Sequence, residues 1–156
     1  MDEIPAQSWK YEMRRQMQQI MPKVWLGPYA VAKQRDVLLA AGITHILCLK
    51  DVSEDHIVKV AYPQDFQYLC LSLSDGPNAC VLPLIAESSK FIAEGLCSGG
   101  SVLVYCISGI SRSPAVVIAY MMDFGSLTYD QAFQAVVKRR FCINPNEWFK
   151  HQLNVC

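Results

Sequence analysis

The sequence predicts an α/β domain with a central, mostly parallel sheet flanked by helices. Three observations carry this. Apolar runs at Ile43–Leu49, Phe66–Leu73 and Ser101–Tyr105 are too short for helices and read as buried strands. Segments of helical spacing alternate with them, the pattern that builds parallel sheets. The C-terminal third carries helix signals alone.

The elements follow in order. Residues 1–8 are polar with Pro5, so residues 1–10 are expected to be a flexible N-terminal segment. Tyr11–Gln19 is charged and predicts a short helix, stopped by Pro22. Val24–Gly27 reads as a strand. Tyr29–Ala41 has helical spacing at Val31, Val37, Leu38 and Ala41, and Gly42 suits its end. After the strands at 43–49 and 66–73, Leu82–Leu96 has helical length and spacing, closed by Gly99-Gly100. The third apolar run, at 101–105, is followed by a helix with Pro114 in its first turn, ending near Asp123 and Gly125. Thr128-x-x-Gln131 is a capping box opening a helix to about Arg140. Asn144-Pro145-x-Glu147 opens the last helix, which Trp148 and Phe149 are expected to pack down.

Composition narrows the function. A chain of 156 residues suits one domain, here 1–156. A domain this size buries roughly 70% of its unfolded surface, so it needs no disulfide or metal staple. Charged residues are 18% and apolar residues 52%, which excludes disorder for most of it. The charge is balanced, 14 basic against 14 acidic residues, which argues against nucleic acid and anionic membranes as partners. The longest apolar run, Ala115–Met122, falls far short of the ~18 residues of a membrane span. The N-terminus lacks a signal-peptide pattern. Seven cysteines, an odd count with no C-x-x-C pair, argue against zinc and fit reduced thiols. An intracellular protein, cytoplasmic or nuclear, is expected. Cys48 and Cys70 sit in apolar runs and read as core residues. His45 reads as a core histidine and His151 as structural.

The informative stretch is Val102-Leu103-Val104-Tyr105-Cys106-Ile107-Ser108-Gly109-Ile110-Ser111-Arg112-Ser113-Pro114. A buried strand ends at a cysteine, a loop of small residues turns at Gly109, and an arginine opens a helix. Successive N–H groups of Ile107, Ser108, Gly109, Ile110 and Ser111 can form an anion nest. The helix start adds partial positive charge. Arg112 supplies a planar fork matched to phosphate oxygens. The same field favours a thiolate at Cys106, since thiols near helix N-termini and cations fall from about 8.5 to roughly 3.5–7.5. Ser111 and Ser113 offer hydroxyls to the sulfur or to phosphate. An isolated cysteine would read as core and an isolated arginine as surface; here both stand in the order a phosphate loop requires.

Cys106-x5-Arg112-Ser113, with Gly109-Ile110-Ser111-Arg112-Ser113, resembles the loop of cysteine-dependent protein tyrosine phosphatases, in particular their dual-specificity branch. The resemblance extends to Trp25-Leu26-Gly27 and Gly42-Ile43-Thr44-His45-Ile46. Met13-Arg14-Arg15-Gln16-Met17-Gln18 and Arg139-Arg140-Phe141-Cys142-Ile143-Asn144-Pro145-Asn146 look most like a pseudophosphatase branch whose loop lacks the cysteine. The resemblance implies a dual-specificity-phosphatase-like fold, a Cys106 nucleophile with Arg112, and Asp75 of Asp75-Gly76-Pro77-Asn78 as the general acid. Read alone, Asp75 is an ordinary turn aspartate. Tyr105 stands where active members carry a histidine that supports the loop, and tyrosine cannot supply its positive charge. Lys138-Arg139-Arg140 reads as cations favouring a helix end, ahead of a substrate-docking patch.

Two functions stay open. One is a protein phosphatase of weakened activity, acting on phosphotyrosine and phosphoserine/threonine through a cysteinyl-phosphate, with no cofactor. The other is a phosphoprotein-binding module that shields partners without turnover. A sulfur-transfer domain fits less well, given Arg112 and the Asn-Pro-Asn motif. Phosphorylated proteins, kinases of signalling pathways among them, are the expected partners. The sequence sets no oligomeric state.

Overall fold

The structure is a computed structural model and describes residue 4 and residues 8–155. Part of the expected flexible N-terminal segment lies outside the described residues. A five-stranded sheet forms the centre, with strands β1 (Gln18–Met21), β2 (Val24–Pro28), β3 (Ile43–Lys50), β4 (Gln67–Ser72) and β5 (Ser101–Cys106) in the order β1-β2-β5-β3-β4. β1 pairs antiparallel with β2, and every other pairing is parallel. β5 lies in the middle and is buried throughout, as expected of a strand covered on both faces.

Side-chain alternation along β5 sorts the core. Val102, Val104 and Cys106 pack toward one face, which is covered by α3 (Leu82–Cys97), α4 (Arg112–Gly125), α5 (Tyr129–Arg139) and α6 (Glu147–Asn154). Leu103 and Tyr105 pack toward the other face, with α1 (Tyr29–Ala32), α2 (Arg35–Ala40) and Phe66. Cys106 and Tyr105, adjacent in sequence, therefore serve opposite sides of the sheet.

Several expectations need correction. The helix expected over Tyr11–Gln19 is a 3-10 turn at Tyr11–Arg15, after which Gln18–Met21 is strand. The Arg140 guanidinium takes the Met13, Arg14 and Gln16 carbonyls, which a helix would have used itself. The helix expected over Tyr29–Ala41 breaks at Lys33–Gln34, where the Tyr62 hydroxyl donates to the Lys33 carbonyl. The last helix starts two residues late. Asn146, not Asn144, accepts from the Trp148 amide as its cap, while the Asn144 backbone N–H donates to the Ile110 carbonyl. Phe149 is buried but Trp148 is 46% exposed, so Phe149 alone of the pair packs that helix into the core. Cys48 is buried as expected, whereas Cys70, on edge strand β4, is exposed. The capping box at Thr128–Gln131 forms as read. Among the described residues no helix is long and apolar enough to cross a membrane.

Candidate active site

β5 delivers Cys106, buried, to the end of the sheet. The chain then turns through 107–111, and α4 begins at Arg112. Gly109 has φ +68, and a Cβ there would lie 2.7 Å from the Gly27 backbone, so only glycine fits the turn. Ser111 precedes α4 without capping it: its hydroxyl donates to Asp75 Oδ1 at 2.6 Å and its oxygen accepts from the Asn146 N–H instead of from an amide of α4. The first amides of α4 are thus left without a side-chain cap. One of them, Ser113 N–H, points at Cys106 Sγ at 3.5 Å, and the Ser113 hydroxyl lies 3.0 Å from the same sulfur.

Arg140, read from sequence as a helix-end cation, is the fully buried back wall of this loop. Its Nε donates to the Gly109 carbonyl at 2.9 Å and Nη2 to the Ser108 carbonyl at 3.2 Å. Peptide planarity then turns the Gly109 and Ile110 amides away from Arg140. The remaining donors hold the Arg14 and Gln16 carbonyls and Gln18 Oε1. Burial lowers the pKa of Arg140, yet a guanidinium stays charged, so a second cation stands behind the loop.

Arg112 is 5% exposed. Its Nη1 and Nη2 donate to the two oxygens of Glu54 at 2.5 and 2.8 Å, and Nη1 also donates to the Leu73 carbonyl at 3.2 Å. A guanidinium has five N–H donors. Among the described residues these contacts leave Nε–H and one Nη2–H unused, which is the side-on fork that takes two phosphate oxygens. Glu54 therefore orients Arg112 without filling its binding edge. The Arg112 guanidinium holds the Glu54 carboxyl below its ordinary range, and Glu54 in turn raises Arg112.

Asp75 is exposed on the loop after β4. Besides Ser111, Asn146 Nδ2 binds it, donating to the Asp75 carbonyl at 3.1 Å and the Gly76 carbonyl at 3.2 Å. Asn146 N–H donates to Ser111 Oγ at 2.8 Å, which closes the cluster. An open cleft lined by Asp75, Ser108, Ile110, Ser111, Asn146 and Glu147 lies between them. The structure thus gathers Cys106, Arg112, Asp75 and the loop Ile107–Ser113 at one end of the sheet.

A family model described as the dual specificity phosphatase catalytic domain matches residues 24–156. The chain belongs to the dual specificity phosphatase family. Human serine/threonine/tyrosine-interacting protein is 45% identical over 150 residues, which cover 95% of this chain and 67% of that protein. Mouse dual specificity protein phosphatase 22 is 35% identical over 137 residues, 88% of this chain and 71% of that one. The crystal structure of human tyrosine phosphatase-like serine/threonine/tyrosine-interacting protein superposes with a TM-score of 0.88 at 43% identity, covering 90% of this chain and 95% of that chain.

Within this dual specificity phosphatase domain, Tyr105 does not face the sulfur. Its ring stacks on Tyr29 with centroids 6.0 Å apart, and its hydroxyl meets the Cys48 thiol across the β3–β5 pairing. Burial pushes the Tyr105 phenol upward, so it stays neutral. His45 is a core residue as read, bonded to Thr44 Oγ1 and edge-on to Phe91. Sequence reasoning missed Glu54, Arg140 and Asn146. Glu54 sits in a local capping box with Asp51, which predicts a turn and nothing at long range. Arg140 was visible as a helix-end cation, and Asn146 as part of the family resemblance without a role.

Proposed function

We propose that this domain hydrolyses phosphate monoesters on tyrosine and on serine or threonine of proteins, slowly, through a cysteinyl-phosphate. The observation that carries the proposal is the free fork of Arg112 set beside Cys106 at the uncapped start of α4. The Cys106 sulfur attacks phosphorus in line, and the phosphorus–oxygen bond to the leaving group breaks. Arg112 and the loop amides hold the three equatorial oxygens. Asp75 gives its proton to the leaving oxygen, then takes one from the water that attacks the phosphocysteine. Ser113 Oγ, 3.0 Å from the sulfur, donates to it as it departs in that second step. Neither step calls on a cofactor. The substrates are phosphorylated proteins, signalling kinases among them, in the cytoplasm or nucleus.

A second reading has its own support: a phosphoprotein-binding module without turnover. The relatives at 43–45% identity are named interacting proteins, and Tyr105 replaces the supporting histidine of active members. Phosphate release from phosphotyrosine and phosphothreonine peptides separates the two. The first reading expects slow release, absent in Cys106→Ser. Tight peptide binding with no release in either protein would establish the second.

A further inference from the structure

Away from Cys106, two other cysteines lie side by side. Cys48 on β3 and Cys70 on β4 are register partners in a parallel pairing, and their thiols are in contact. Register partners on neighbouring strands are separated by about 4.7–4.9 Å, within the roughly 4.4–6.8 Å span of Cα atoms that a disulfide bridges. Their surroundings differ sharply. Cys48 is buried against the core and the Tyr105 hydroxyl, while Cys70 is exposed and lines a small cleft with Lys50, Val52, Asp55, Leu71 and Ser72. A small polar oxidant can reach Cys70 and cannot reach Cys48.

From this pairing we infer that Cys70 is a peroxide-sensitive modification site, with Cys48 as its resolving thiol. Contact with the Cys48 thiol and the charge of Lys50 bring the Cys70 thiol down to about 7, while that same contact and burial push Cys48 upward. Cys70 is therefore the thiol that reacts first. Its thiolate attacks hydrogen peroxide, forming an S–O bond as the O–O bond breaks, and the departing hydroxide takes a proton to become water. The Cys48 sulfur then attacks the Cys70 sulfenic acid. The S–S bond forms, the S–O bond breaks, and the leaving hydroxide removes the Cys48 proton as a second water. Two thiols lose two electrons and one peroxide gains them. None of this rests on turnover at Cys106.

The test uses the whole chain, reduced, with one equivalent of hydrogen peroxide, followed by alkylation and peptide mapping. The wild type should give a peptide pair joined through Cys48 and Cys70 that dithiothreitol separates. Cys48→Ser should give a dimedone adduct on Cys70, and Cys70→Ser should leave Cys48 unmodified. Independently of any variant, limiting iodoacetamide at neutral pH should label Cys70 about tenfold faster than the exposed Cys80 and Cys97. Equal labelling of the three, or a disulfide that joins Cys70 to a cysteine other than Cys48, overturns the assignment.

Discussion

Arg112 at the start of α4 and Glu54 in the β3–β4 connection are joined by two side-by-side hydrogen bonds, of 2.5 and 2.8 Å. The pair decides how the arginine presents itself. Glu54 takes one N–H from each terminal nitrogen and leaves the Nε–Nη2 edge for an anion. Glu54→Gln keeps the shape, but its amide oxygen accepts from only one terminal nitrogen and its NH2 group faces the other as a second donor. Vanadate affinity is expected to fall by about tenfold, the worth of one charge-assisted bond of ~1.5 kcal/mol. Stability should fall by about 1–3 kcal/mol, below the figure for a fully enclosed pair because Glu54 keeps some solvent contact. Isothermal titration and urea unfolding read the two effects.

The same pair sets a pH dependence. The folded-state pKa of Glu54 lies below its ordinary 4.5, so the pair contributes its full stability above that value. The contribution is lost as pH falls through the lowered folded value. The gap in melting temperature between wild type and Glu54→Gln should be constant near neutrality and close as acid is added.

Arg140 fastens the N-terminal segment to the loop through carbonyls on both. Arg140→Met would leave several buried acceptors without donors, each costing about 1–3 kcal/mol. A loss of more than 3 kcal/mol in urea unfolding is expected, with anion binding abolished. Arg140→Lys should recover only part of it, because a point ammonium cannot reproduce the planar fork.

Asp75 is positioned by Ser111 and Asn146 rather than by the sheet. Asp75→Asn should slow hydrolysis of phosphotyrosine peptides by about 10²–10⁴-fold while sparing an activated aryl phosphate, whose leaving group needs no proton. Equal losses on both substrates would remove Asp75 from the mechanism.

Tyr105 turns its hydroxyl to Cys48 and gives the loop no cation. Tyr105→His should speed turnover about ten- to a hundredfold, the worth of one restored contact of ~1.5–3 kcal/mol. It should also lower stability, since a smaller ring leaves the Tyr29 stack and the Cys48 thiol incompletely packed. Steady-state kinetics and thermal unfolding should therefore move in opposite directions. An unchanged rate would place the limiting step elsewhere.

What the sequence made legible was local. The strand into Cys106, the turn at Gly109 and the capping box at Thr128 each announce themselves within a few residues. The grouping of Cys106, Arg112 and Asp75 was legible through family resemblance. What stayed hidden depends on partners far along the chain. Arg140 bonds Gln16 and Gln18 across more than a hundred residues, and those bonds turn an expected helix into a short turn and a strand. Glu54 looks like a turn residue because it is one; its second task, holding Arg112, has no local mark. Tyr105 was visible as a departure, but only the alternation along β5 shows that it faces away from Cys106.

The central claim is that the Cys106 sulfur becomes bonded to phosphorus. Rapid acid quench of the domain with a ³²P-phosphotyrosine peptide tests it most directly, with the label mapped by peptide mass. The account predicts stoichiometric label on Cys106, absent from Cys106→Ser. A protein that binds the peptide tightly and never carries label on Cys106 would contradict it.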